Sequence, residues 1–300
     1  MMSDEPTSQP TPQQLVGDLV ELLTVERTGP DSFVGAQQKN GVGRMFGGQV
    51  IAQALQAAQA TVEDGKEAHS LHAYFLRSGK EGVPTHYSTA RDFDGRSFAN
   101  RRVVAAQDGA AILNLTASFQ APEPGLEHDD APMPDVPGPD ELRCDTELRR
   151  EYADKAGLTG AVRALMLRPR PIEMRTCDRL HWMNSEPRPP KAHGWFRAAA
   201  PLPDDPALHR AVIVYASDFT LLGTSALPHG LSWMRGELVG ASLDHAIWFH
   251  RPARADEWLL YATDSPWTGG GRGFNRGRIF NLEGQLVASV TQEGMLRRRT

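Results

Sequence analysis

The sequence predicts an α+β protein made of two tandem copies of one module, each a long helix wrapped by an antiparallel β-sheet. Three observations carry this. Short segments recur at a nearly constant offset, each copy has one helical run followed by alternating strand-like runs, and an acidic, proline-rich stretch separates the two.

The recurrence is clearest between Gly95–Val103 and Gly271–Ile279. Tyr74–Arg77 repeats as Trp248–Arg251, and Asp108–Ile112 as Glu283–Val287; the separations are 176, 174 and 175 (271 − 95, 248 − 74, 283 − 108). Two copies are too few for a solenoid and read as a fused pseudo-dimer. Residues 1–11 hold Ser, Thr, Pro, Gln and acid with neither a basic start nor an apolar run, the composition of a disordered tail rather than a secretory signal. The first module is expected over 12–120. Its helix spans Phe46 to Val62, with apolar positions at 50, 51, 54, 55, 58 and 62 and Gly47-Gly48 at its start. Strands are expected near 69–77, 84–92, 98–107 and 110–119, with turns at Asp94-Gly95 and Asp108-Gly109. Residues 121–170 read as an acidic, Pro-rich linker with a short helical part. In the second module, over 171–300, the β-branched run Ala211–Tyr215 reads as a strand and 217–227 as a short helix. Strands follow near 237–250, 257–264, 272–281 and 285–293, with a turn at Glu283-Gly284.

Composition bounds the function. With 300 residues, 40 % hydrophobic, 23 % charged and a net charge of −5, the chain is globular and has no general electrostatic attraction for nucleic acid or anionic membranes. No apolar run approaches the roughly 20 residues of a membrane span. Cys144 and Cys177 form no CxxC pair, so they read as free thiols of a cytoplasmic protein; no zinc site, disulfide framework or cofactor is indicated.

Several polar residues are chemical candidates. Asp218 follows the apolar run at what reads as a helix start, where Ser217 or Asp218 serves as N-cap, or Asp218 caps with one oxygen and binds water with the other. Ser242 and Gln292 taken singly are ordinary strand residues. Asp244 and His245 are adjacent on a strand and point to opposite faces, which argues against a dyad. There is no HExxH for zinc, no GxSxG nucleophile elbow, and Gly269–Gly273 lacks the Lys-Ser/Thr of a phosphate loop.

Taken together the segments resemble the bacterial acyl-CoA thioesterase II family, proteins of double-hotdog fold. The resemblance rests on Arg44–Gln49, Phe98–Val103, Ala216–Phe219, Leu227–Gly230, Leu243–Arg251, Glu257–Tyr261, Arg272–Phe274 and Gln292–Gly294, in family order over nearly the whole chain. It implies hydrolysis of acyl-CoA to fatty acid and CoA by a water activated by an Asp, a hydroxyl residue and a Gln. These fall on Asp218, Ser242 and Gln292, with Ser where the family typically has Thr. It also implies a homo-oligomer assembled through the sheets. Oxyanion donors are sought at the glycine-bearing helix start, Gly47 and Gly48, or among the N–H groups after Asp218. Arg96, Arg101, Arg102, Arg272, Arg276 and Arg278 are available for the CoA phosphates, none assigned. Two other readings are a non-catalytic acyl-CoA-binding module and a hotdog enoyl-CoA hydratase. The latter needs a His close after its Asp, and His229 lies 11 positions on (229 − 218).

Overall fold

The computed structural model describes residues 9–299 except 39–42, 64, 179–185, 232 and 234. Most of the tail expected over 1–11 therefore lies outside the described residues. Helix α1 (Pro12–Leu23) opens with a capping box between Thr11 and Gln14 and with Pro12 in its first turn. The first half continues with β1 (Val25–Gly29), β2 (Ser32–Gly35), α2 (Gly47–Gln59), β3 (Glu67–Phe75), β4 (Thr85–Asp94), β5 (Phe98–Gln107) and β6 (Ala110–Gln120). After α3 (Asp145–Lys155) and α4 (Gly160–Met166), the second half has β7 (Ile172–Thr176), β8 (Lys191–Ala198), α5 (Pro206–Ser217) and α6 (Leu221–Thr224). It ends with β9 (Leu238–Ser242), β10 (Asp244–Phe249), β11 (Leu259–Gly269), β12 (Arg272–Phe280) and β13 (Leu286–Arg298).

All strands join one antiparallel sheet in the order β1-β2-β4-β5-β6-β3-β10-β13-β12-β11-β8-β7, with β9 also on β13. Each half contributes a mirrored run, and the halves meet where β3 pairs β10, Asp244 opposite Tyr74 and Trp248 opposite Ser70. The two long helices pack on each other inside the sheet, and the shared core runs from Ile51 and Leu55 on α2 to Val212 and Val214 on α5. This is the double-hotdog arrangement that the resemblance implies. Helix α2 is pinned by Gln53, which donates to Leu22 O (2.6 Å) and Ala36 O (2.8 Å) and accepts from Tyr87 Oη (2.7 Å).

Three features differ from the sequence expectations. Residues 211–215 are not a strand: Asp205 caps Ala207 N–H, Pro206 follows at N1, and the chain is helical to Ser217. A helix buried on most of its circumference carries β-branched residues at successive positions, so its pattern cannot be told from a buried strand. The helical stretch Pro206–His229 is, by length and composition, apolar enough to cross a membrane, contrary to the sequence count, but 67 % of its most apolar window is buried within the fold. Finally, the proline-rich stretch is a strap. Ala131, Met133, Val136 and Leu142 cover Trp195, Trp258, Leu260 and Phe280 on the face opposite the helices, and Trp195 Nε1–H donates to Pro137 O (2.9 Å).

The register between halves can be fixed from matched bonds. Leu76 and Arg77 N–H both donate to Ile112 O, and His250 and Arg251 N–H both donate to Val287 O. Counting along the ladders from these places Leu71 opposite His245, Ala117 opposite Gln292 and Arg101 opposite Asn275. That is two residues away from the Gly95–Val103 and Gly271–Ile279 match, because the hairpin tips differ in length.

Arg101 is fully buried. It donates to Thr61 Oγ1 and O, Phe93 O and Asn100 O, and pairs with Asp94. Arg101→Met leaves those acceptors without a donor and is expected to lower stability by about 2–3 kcal/mol, read as a lower urea midpoint at unchanged m-value.

Candidate active site

The crossing of α2 and α5 collects the residues singled out above. Asp218 is the C-cap of α5, not an N-cap, with helical dihedrals (φ −85°, ψ −7°). The Phe219 N–H donates to Ala216 O (3.1 Å), so of the N–H groups that follow Asp218 the first is already engaged. The Asp218 carboxylate meets the start of α2, where Gly48 N–H donates to it. Helix α2 has no side-chain cap at Phe46, so with Gly48 engaged, Gly47 and Gln49 hold first-turn N–H groups without an intrahelical partner.

The glycines permit this approach. A Cβ on Gly47 would stand 2.6 Å from Asp218 Oδ2 and 2.9 Å from the Phe75 ring; one on Gly48 would stand 2.5 Å from Tyr215 O. Beside them Phe46 stacks on Phe219 with centroids 4.8 Å apart.

Two strand residues converge on the same oxygen. Ser242, the last residue of β9, donates from Oγ to Asp218 Oδ1 (3.2 Å), and Gln292 on β13 donates from Nε2 (2.7 Å). Burial dominates and pushes the Asp218 pKa up to about 6, against the opposing pull of the Gln292, Ser242 and Gly48 hydrogen bonds. All five residues proposed from the sequence, Asp218, Ser242, Gln292, Gly47 and Gly48, thus sit at one place.

The structure adds residues that sequence reasoning set aside. His245 is fully buried on β10, with Nδ1 3.1 Å from Gln292 Nε2 and Nε2 2.9 Å from Ser217 Oγ. Burial pushes its pKa down to about 4, so it is neutral at neutral pH. The opposite-faces argument was correct: Asp244 turns outward and accepts from Glu293 N–H (2.6 Å). The partner of His245 is Gln292 across the sheet, which the alternation of inward positions 245 and 247 could have indicated. Tyr261 Oη donates to Ser217 O (3.1 Å), and Asn275 lies buried opposite Gln292. None of the arginines set against the CoA phosphates lies in this cluster. Arg101 is structural, and Arg102, Arg272 and Arg276 pair with Asp92, Glu293 and Asp264. Among the described residues no group of His, Cys, Asp and Glu is placed to hold a metal ion.

A cavity of about 560 Å³ opens beside the site, walled by Phe46, Tyr215 and Phe219, by Leu15, Asp18, Leu19, Glu21 and Leu22 of α1, by Gln37, Gln38 and Glu81, and by Leu165 and 168–171. Phe46 and Phe219 are the chain neighbours of Gly47 and Asp218, so the cavity opens one residue away from each, although neither lines its wall.

The fold is a double hotdog, and this polar cluster lies where its two long helices cross. Residues 36–120 match the model of the acyl-CoA thioesterase N-terminal domain, and 139–296 that of the C-terminal domain. Acyl-CoA thioesterase 2 of Haemophilus influenzae is 35 % identical over 94 % of this chain and 98 % of its own length. An acyl-CoA thioesterase II from Mycobacterium marinum is 39 % identical, with a TM-score of 0.74 over 93 % of this chain and 97 % of that one. A hot dog fold protein of Alicyclobacillus acidocaldarius superposes equally well, TM-score 0.74 over 93 % and 98 % of the two chains, at 20 % identity, a likeness of fold alone. The chain belongs to the acyl-CoA thioesterase II family.

The raised pKa of Asp218 has a consequence for stability. Its folded value, about 6, lies above the ordinary aspartate value of 3.8, so the folded state holds the proton more tightly than the unfolded chain. Ionisation therefore works against folding: the penalty is absent below the reference value, grows up to about pH 6 and is complete above it. Asp218→Asn is expected to gain about 3 kcal/mol at pH 8 and nothing near pH 3.5, measured by urea unfolding at both.

Proposed function

We propose that this chain hydrolyses acyl-CoA thioesters by direct attack of a water held on Asp218, Ser242 and Gln292. The convergence of Ser242 Oγ and Gln292 Nε2 on one carboxylate oxygen carries the reading, because it fixes a base beside a residue, Phe219, that walls a cavity. With a pKa raised to about 6, Asp218 is ionised at neutral pH yet more basic than a solvated carboxylate, near the optimum for a general base. A thioester carbonyl is activated enough for water to attack without a covalent intermediate.

Asp218 accepts a proton as the water oxygen bonds to the carbonyl carbon. The oxyanion is met by the first-turn N–H groups of α2, those of Gly47 and Gln49, while Gly48 holds the carboxylate; losing one oxyanion donor typically costs about 10²–10³ in kcat. When the C–S bond breaks, Asp218 returns the proton to the CoA sulfur. The acyl chain occupies the cavity bordered by Phe46 and Phe219, where each buried CH₂ adds about 0.8 kcal/mol. The proposal includes a cytoplasmic homo-oligomer assembled through the sheet. The outer face of the first half, where Tyr74 and Phe98 are exposed, supports that, since the strap covers part of the second. Sedimentation velocity reads it, and a monomer at micromolar concentration removes that part.

Thiol release from acyl-CoAs of graded chain length tests the activity. Asp218→Asn is expected to lower kcat by roughly 10²–10⁴. In the parent, kcat/KM is expected to fall as pH drops through about 6, as Asp218 takes up its proton. Full activity in Asp218→Asn removes this mechanism, and acyl-CoA binding without turnover favours a non-catalytic module.

A further inference from the structure

The hydrogen bonds behind Asp218 admit one arrangement of protons. An ionised carboxylate only accepts, so the Gln292 atom 2.7 Å from Asp218 Oδ1 is the amide nitrogen. The same nitrogen lies 3.1 Å from His245 Nδ1, which must then present its lone pair. A neutral imidazole with a bare Nδ1 carries its proton on Nε2, and that N–H points at Ser217 Oγ, 2.9 Å away. The Ser217 hydroxyl, having accepted, gives its own proton to Val214 O, 2.9 Å away in the preceding turn of α5. Each link is forced by the one before. At the other end Gln292 Oε1 is left over, buried and without a partner. An orphaned buried acceptor of this kind is costly and calls for an occupant.

We infer that His245, held as its Nε2–H tautomer by Ser217, is a positioning residue that fixes the amide of Gln292 so that Oε1 accepts a hydrogen bond from the attacking water. The inference rests on the hydrolytic reading above. Water has two protons to place: one goes to Asp218 and the other to Gln292 Oε1, which aims its lone pair at the carbonyl. Were the amide to turn over, Oε1 would face the carboxylate and Nε2 the water. Asp218 would lose a donor, and the water would lose an acceptor. His245 touches neither substrate nor water and acts through Gln292 alone. Burial supports this, since protonation would set a second N–H against the amide NH₂, and His245 stays neutral down to about pH 4. The groups that face this network are Asp218 from α5 and Tyr261 from β11, with Asp244 and Glu293 turned to the other side of the sheet.

The test uses the full chain and four variants: His245→Leu, Ser217→Ala, Gln292→Ala and the double His245→Leu/Gln292→Ala. Leucine suits the position, as Leu71 fills its counterpart in the first half. His245→Leu is expected to lower kcat roughly 10- to 100-fold, the usual range for an orienting partner behind a reacting group, with KM little changed. Its acid limb in kcat/KM should move to higher pH, because the Gln292 donor that favours ionised Asp218 is no longer held. A structural defect alone lowers kcat and leaves that limb in place. Ser217→Ala, the milder change, should shift both in the same direction and by less. In the Gln292→Ala background, His245→Leu should have almost no further effect. Unchanged kcat in His245→Leu, or an equal loss in both backgrounds, overturns the inference. Full activity in Gln292→Ala and Asp218→Asn instead removes the Asp218–Gln292 mechanism on which it rests, and absence of turnover in the parent removes the hydrolytic reading itself.

Discussion

A carboxylate wedged between two helix ends is the constraint around which the polar cluster of this molecule is built. Asp218 closes α5, where the helix dipole presents its negative end and disfavours an ionised group. Helix α2 begins opposite, and its first N–H groups restore part of what is lost. The net result is a base that is charged at neutral pH and held loosely enough to accept a proton. The arrangement depends on backbone proximity that a single added methyl would prevent. Gly47 and Gly48 therefore belong to the chemistry as much as to the packing.

The two halves show what it takes to build such a site on one of two similar scaffolds. In the second half the inward positions of three neighbouring strands carry His245, Gln292 and Asn275. In the first half Leu71 and Ala117 fill the matching places of His245 and Gln292, and Arg101 turns its guanidinium to the backbone of Thr61, Phe93 and Asn100. A half-satisfied buried network is worse than an apolar core, so such clusters are kept complete or lost as a set. The helix contacts survive in both halves, because packing is indifferent to which side holds the polar cluster. Duplication explains the scaffold; burial cost explains why the linked His245–Gln292 cluster stands in one half, while the first half buries a different set around Arg101 and Gln53.

Much of this was legible in the sequence. The hairpins show because Asp94-Gly95, Asp108-Gly109 and Glu283-Gly284 each separate alternating runs, and Asp108 indeed adopts positive φ (50°). The fold class follows from the repeat. Asp218, Ser242 and Gln292 came from family resemblance, since each alone is an unremarkable cap or strand residue. Other features were hidden for physical reasons. Helix α5 is apolar on nearly all sides, so Ala211–Tyr215 carries no helical period. His245 was set aside with Asp244 by a valid rule about adjacent residues, while its partners came from α5 and β13, which no local pattern connects. The strap reads as a free linker because proline and acid mark the lack of a regular element, not the lack of contacts.

Ser242 draws these threads together. It stands where the family typically has Thr, and a serine lacks the methyl that restricts χ1. Its backbone compensates in part: Ser242 pairs with Gly294 at the end of β9, and the next residue, Leu243, donates to Glu293 O (2.9 Å), which fixes the Cα–Cβ direction. The side chain retains one torsion, and its bond to Asp218 is the longer of the two, 3.2 Å against 2.7 Å for Gln292. The hydroxyl is thus the least constrained member of the cluster and the amide the most constrained, being held from behind by His245. On the proposed mechanism, precision in placing the water falls to Gln292, and the proton arrangement of a buried histidine that never meets the substrate then bears on the rate.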